Sequence, residues 1–315
     1  MNPRSASPLA VALAYATVCV VWGSTYLFIK LGVGVLPPYL LGGVRFSIAG
    51  AILVAACLVT GRRLPRDWRT FRRAALVGIL LLVVGNGLLN LSEQHLSSGL
   101  AALLVATFPI WTTLIARFGR GAERLGPSGW AGLAVALAGV GVLVRPFESG
   151  VESSWTGVTA VLTASFMWAV GTVYARRRLA GVDPFGASAV ETIVAGPLML
   201  GVHLALERGQ PIAWGGQAWL AIGYLAVMGS LVGFTAFVFI TAHMTSSKVG
   251  TYAYVNPVVA VLLGWLVLEE PVTWRLALGG TTILAGLLLV YLARVRERPA
   301  DRPPAEAVCE APHEG

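Results

Sequence analysis

The sequence predicts an all-α integral membrane protein of ten transmembrane helices, arranged as two inverted five-helix repeats. Composition gives the first reason: of 315 residues, 56% are hydrophobic, 37 are glycine and only 12% are charged, against about 25% charged in soluble domains. Apolar runs of about 17 to 25 residues give the second, each long enough to cross a hydrocarbon core of about 30 Å as a helix. The third is an internal echo at a spacing of 146 residues, in which Trp22 is answered by Trp168, Lys30 by Arg176, Pro38 by Pro184 and Arg45 by Glu191.

The spans are expected at 9–29, 39–59, 74–92, 97–117, 127–145, 155–175, 185–206, 217–240, 247–268 and 274–293. The first begins like a signal peptide, with Arg4 before an apolar run and small residues at Ala14 and Ala16. Its apolar run continues to Ile29, too long for a signal h-region, and its second half is what the repeat echoes, so it reads as a retained helix. The second span, from residue 39, carries Arg45 about seven residues in, roughly 10 Å below the outer surface at 1.5 Å per residue. In the third, Asn86 and Asn90 are four apart and share a face beside Gly85 and Gly87. Pro109 interrupts the fourth, and the fifth is a small-residue run around Gly132 and Gly139.

The sixth span carries Trp168 and the seventh Glu191, about seven residues in from its start. Gly229 and Gly233 on the eighth form a G-x-x-x-G pair, which predicts a close helix crossing within the monomer or between subunits. On the ninth, Tyr252, Tyr254 and Asn256 precede Pro257, whose missing N–H frees a carbonyl near Ala253. The tenth repeats the fifth, with Gly279 and Gly286 at 147 residues from Gly132 and Gly139, as Glu270 is from Glu123. Residues 294–315, rich in proline and charge, read as a disordered cytoplasmic tail.

Lysine and arginine fix the expected orientation. With the N-terminus in the cytoplasm, 18 of them fall on the cytoplasmic side and 4 outside, namely Lys30, Arg145, Arg208 and Arg275. Both termini are therefore expected in the cytoplasm of a multi-pass protein of the cell (inner) membrane. The arginines from Arg62 to Arg73 set topology and attract anionic lipid. Five spans per copy is an odd number, so the second copy, 155–293, lies upside down relative to the first, 9–145.

These features together resemble the drug/metabolite transporter superfamily, in its ten-helix EamA-type branch, over residues 9 to 293. The resemblance rests on WGSTYLFIK in the first span, NPVVAVLLGWLVLEEP at the ninth, GLAVALAGVGVLV and GGTTILAGLLLV closing the halves, and the duplication itself. In the first half TFP replaces the NP of the second and GRGAERLG replaces LEEPVT, so the ninth span is expected to matter more than the fourth. The resemblance implies a secondary transporter exporting an amino acid, a related metabolite or a drug by alternating access.

The candidate residues follow from what is costly in lipid. Arg45 either snorkels to the interface or attracts an anionic group such as a substrate carboxylate. Glu191 snorkels poorly, and burial favours its proton-carrying form, which suits coupling or substrate contact, with a structural hydrogen bond or interfacial solvation as the alternatives. These two are the expected gating or coupling groups, entering from opposite sides and too far apart to pair. Trp22, Tyr26, Asn86, Asn90, Trp168, Tyr252 and Asn256 are the expected substrate-binding lining, with helix packing as the alternative for the tryptophans and asparagines. Pro109 and Pro257 mark broken or kinked helices at equivalent positions. His95 and His243 at matched helix ends, and Glu93 beside the former, read as interfacial residues.

Other classes fit poorly. The aspartates Asp67, Asp183 and Asp301 all lie outside the body of a span, and no histidine pair has ligand spacing, so no enzyme, metal or cofactor is expected. The cysteines Cys19, Cys57 and Cys309 have no framework spacing, and the net charge of +8 flanks apolar runs instead of forming a nucleic-acid face. No G-x-x-x-x-G-K-[ST] loop suggests an ATP-driven pump. A nucleotide-sugar or triose-phosphate exchanger is the alternative among carriers, and a channel the alternative outside them. The expected partners are a small-molecule substrate, the bilayer and possible coupling protons, with the protein a monomer or homodimer.

Overall fold

A computed structural model describes residues 6–117, 126–144, 154–244 and 246–297. Arg145, Glu123, Cys309 and the tail from residue 298 lie outside the described residues. Among the described residues the regular structure is all helical: α1 is Pro8–Val33, α2 Pro38–Thr60, α3 Trp68–His95, α4 98–117, α5 Pro127–Val144, α6 Trp155–Arg178, α7 Pro184–Leu206, α8 Gly216–His243, α9 Tyr252–Leu268 and α10 Trp274–Glu297. Nine of these contain a stretch long and apolar enough to cross a bilayer, and α9 is a shorter apolar helix.

Local signals explain most boundaries. Ser7 caps α1, accepting from the Ala10 amide at 3.2 Å, and Pro8 fits the first turn, where its missing N–H leaves nothing unpaired. Helix α3 starts at Trp68, six residues before the expected span at 74, because Asp67 accepts from the Thr70 amide at 2.8 Å. That bond holds the Asp67 carboxyl below its ordinary value. Arg69, Arg72 and Arg73 thus ride on a polar first turn of α3, and Arg176 to Arg178 lie in the last turn of α6, where the helix dipole favours cations. Gly61, at φ +68°, closes α2 in the left-handed region that glycine enters freely.

The duplicated helices pack on one another as an inverted pair must. At the crossing of α2 and α7, a Cβ on Gly50 would meet the backbone of Ile193, and one on Gly196 that of Ser47. Both pairs are matched across the repeat, so the contact has pseudo-two-fold symmetry. Helices α5 and α10 do the same: Gly132 lies on the Gly286 carbonyl and Gly139 on that of Gly279. The echoed glycines are therefore the axial contacts of the fold.

The remaining helices exchange between halves. Helix α1 packs against α8 and α9 of the second half, and α6 against α3 and α4 of the first. Lipid then meets an apolar exterior that includes Val59, Leu206, Trp265 and Leu266.

Candidate functional site

The third helix of each half abandons α-helical hydrogen bonding near mid-membrane. In α3 the stretch Ile79–Asn86 is π-helical, and in α8 the stretch Leu225–Val232 is, 146 residues on. A π-helix carries its bonds to i+5 and leaves local carbonyls poorly paired, and such stretches concentrate at functional sites. Here the spare carbonyls have partners from the opposite half. The Trp22 indole N–H on α1 donates to the Gly229 carbonyl at 3.1 Å, and the Trp168 indole N–H on α6 donates to the Leu81 carbonyl at 2.6 Å. Gly233 and Gly85 make room for the two indoles, since a Cβ on either would lie 2.5 Å from the indole nitrogen. The G-x-x-x-G pair of α8 thus faces α1 within the monomer.

The same two helices hold the fourth-helix irregularities. Helix α4 breaks at Ala106–Thr107, between Ser98–Val105 and Phe108–Arg117. Pro109 leaves the Val105 carbonyl without its usual partner, and the Ser165 hydroxyl of α6 takes it at 3.3 Å. In the second half the break lies earlier than expected. Helix α9 continues through Pro257, and the interruption is at Gly250–Thr251, between Ser246–Val249 and Tyr252–Leu268. Pro257 is the sixth residue of its helix, so its missing N–H removes only a bond to the first turn and the helix runs on. The Asn256 amide, in the orientation its neighbours dictate, donates to the carbonyls of Cys19 and Tyr252, both at 3.1 Å.

Both intramembrane charges abut the π-helical stretches. Arg45 does not reach the interface: it is 6% exposed, and its Nε donates to the Ser230 hydroxyl at 3.2 Å while that hydroxyl donates to the Leu225 carbonyl at 3.1 Å. Its Nη1 is buried with no hydrogen-bond partner. Glu191 lies where α7 crosses α3, its backbone against Gly78 at the head of the π-helical stretch. No ion pair joins Glu191 to Arg45 among the described residues.

The other candidates divide by burial. Trp22, Asn86, Trp168 and Tyr252 are half-buried. Trp22 meets Tyr252 edge-on, ring centroids 5.2 Å apart, and Phe237 at 5.1 Å. Asn86 turns back to its own helix, donating to the Leu81 carbonyl at 3.3 Å. Asn90, 1% exposed, instead ties α3 to the head of α2 by donating to the Pro38 carbonyl at 3.0 Å. Tyr26 is packed into the apolar core and Asn256 is buried at the α1–α9 contact. Tyr26, Asn90 and Asn256 therefore belong to the packing in this conformation.

Sequence analysis missed a set of charged groups at the end that carries Lys30. The Lys30 ammonium donates to the carbonyls of Glu93 at 2.6 Å and Leu96 at 2.8 Å, closing the C-terminus of α3. Glu270 accepts from the Ser98 amide at 2.9 Å and hydroxyl at 2.7 Å, which caps α4 from the second half. Glu207 does the same for α2, accepting from the amides of Tyr39 at 3.0 Å and Leu40 at 3.3 Å. The signal was present: α2 opens Pro37-Pro38 with no capping side chain of its own. This end is sealed, with Ser98 to Leu104 all buried. At the opposite end Thr251 to Tyr254 are half-buried and Lys248 and Gly250 exposed.

Comparison with known proteins agrees with this architecture. Residues 9–145 and 155–292 each match the EamA-like transporter family. A relative in Escherichia coli K12, named "Uncharacterized inner membrane transporter YedA", is 39% identical over 267 residues, 84% of this chain and 84% of its own length. The "Uncharacterized transporter YdfC" of Bacillus subtilis is 27% identical over 285 residues, 90% of this chain and 91% of its own. A solved structure described as "Crystal structure of protein" is similar with a TM-score of 0.65 and 25% identity, covering 93% of this chain and 100% of the other.

Proposed function

The chain belongs to the EamA-like transporter family, and from that premise we propose that it is a secondary active carrier that exports a small organic metabolite bearing a carboxylate. It works by alternating access in the cytoplasmic membrane. The relatives named as inner membrane transporters support that location, and the arginine distribution supports cytoplasmic termini, which turn the Lys30 end outward.

The observation that carries the reading is Arg45: a buried guanidinium with an unpaired N–H, set on the π-helical stretch of α8 that Trp22 grips from the other half. A buried cation with spare donors favours an anion, and the guanidinium fork matches a carboxylate. Trp22, Trp168, Asn86 and Tyr252 flank the two stretches and supply the apolar and amide surface for the rest of an amino acid or similar molecule. The packing supports moving bodies that differ from the sequence halves: α1 with α8 and α9, and α6 with α3 and α4, hinged on the paired α2 and α7. The sealed outer end and looser inner end fit an inward-facing state. Glu191, facing that inner half, serves as a charged contact for substrate or proton.

The test is counterflow in proteoliposomes across a panel of amino acids and other carboxylates at two pH values. Saturable, gradient-driven uptake supports a carrier, and flux that rises linearly with concentration would indicate a channel. With Glu191→Gln alongside, the coupling role of Glu191 fails if both transport and its pH response match the wild type.

A further inference from the structure

We infer that Glu93 is a proton-binding site that latches the outer end shut, so that loss of its proton opens the carrier outward; this rests on the transport reading above. Glu93 lies at the outer end of α3 and is 0% exposed, and neither carboxylate oxygen has a hydrogen-bond partner. Buried polar groups are nearly always paired, and an unpaired carboxylate anion there is strongly disfavoured, whereas the neutral acid is tolerable. The nearby cation offsets this only in part, because it makes no bond to the carboxylate. The Lys30 ammonium on α1 is committed to two backbone carbonyls, those of Glu93 itself and Leu96. The other titratable groups within electrostatic range are the Tyr26 hydroxyl on α1 and the Glu270 carboxylate beyond α9, with exposed His95 two residues along α3. Glu270 is itself engaged on the Ser98 amide and hydroxyl, and as an anion it opposes a second negative charge.

The step is a simple proton release. The O–H bond of Glu93 breaks, the proton passes to external water, and the carboxylate then competes for the Lys30 ammonium. If the ammonium leaves the Glu93 and Leu96 carbonyls, the α3–α4 turn loses its clamp. That turn is the seal: Leu96 packs on Gly157 at the head of α6, with His95 beside it. Protonation thus favours the closed outer end and deprotonation the open one, which makes external pH a control on outward opening.

Hydrogen–deuterium exchange of the full-length protein in nanodiscs, corrected for intrinsic rates and run from acidic to alkaline pH, tests this without substrate. In the wild type, exchange in residues 93–105 should rise on the order of tenfold as Glu93 deprotonates. Glu93→Gln, which keeps shape and stays neutral, should remain protected throughout, and Glu93→Asp should restore the rise. A flat wild-type profile, or a Glu93→Gln profile that rises like the wild type, overturns the inference. Absence of counterflow with any substrate, while the Glu93-dependent rise persists, would instead count against the transport reading alone.

Discussion

At the scale of single residues, the two charges inside the spans carry the sharpest expectations. Removing the Arg45 fork in Arg45→Ala should weaken a carboxylate substrate by about 10- to 100-fold, the worth of about 1.5–3 kcal/mol for a hydrogen bond to a charged group. Arg45→Lys should recover part of this, because an ammonium keeps the charge and loses the planar fork. Competition binding against an uncharged amide analogue reads the difference, and equal losses for both ligands would sink the anion role. Arg45 and Glu191 were legible in the sequence because a charge in an apolar run needs a reason. Glu93, Glu207 and Glu270 were not. Each sits at a predicted span end, where an acid is ordinary, and only the tertiary fold shows that two of them cap helices of the other half while Glu93 is left unpaired.

At the scale of elements, the ten spans were readable because lipid leaves the backbone no choice but helices of about bilayer length. The irregular parts were not, since a π-helical stretch uses ordinary letters: ILLLVVGN and LAVMGSLV would suit an α-helix equally well. Each stretch receives an indole hydrogen bond from a residue more than 80 positions away. If that bond maintains the stretch, Gly233→Ala and Trp22→Phe should each destabilise the protein by about 1–3 kcal/mol, through overpacking and through an orphaned buried carbonyl. The double variant should lose clearly less than the sum, because both changes break one interaction. Thermal unfolding of the four proteins in the cycle gives the coupling, and additive losses would mean the indole and the glycine act separately. The same cycle on Gly85 and Trp168 should give a similar value if the halves are mechanically equivalent.

At the scale of the whole molecule, the inverted repeat makes conformation visible as broken symmetry. Each helix has a counterpart at the opposite membrane face, so differences between counterparts report the state. The α4 head is buried and capped by Glu270, whereas the head of α9 at the opposite end is partly exposed. Alternating access requires this imbalance to reverse, and the caps at the sealed end should then contribute unequally. Glu207 joins α2 to α7, a pair that also packs through Gly50 and Gly196 and can act as a fixed axis. Glu270 instead joins α4 to the end of α9, which the alternating-access proposal assigns to different moving bodies. Glu270→Gln should therefore do more than weaken a cap by about 1 kcal/mol: it should shift the population toward the outward-open state. Exchange in residues 98–105 should rise while residues 39–45 stay protected, and alkylation of a cysteine placed near Trp22 should become faster from the outside and slower from the inside. Glu207→Gln should lower thermal stability by a comparable amount and leave the inside-to-outside labelling ratio unchanged. If both variants shift that ratio equally, the outer end opens as one piece, and the division of the molecule into an axis and two exchanging bundles is wrong.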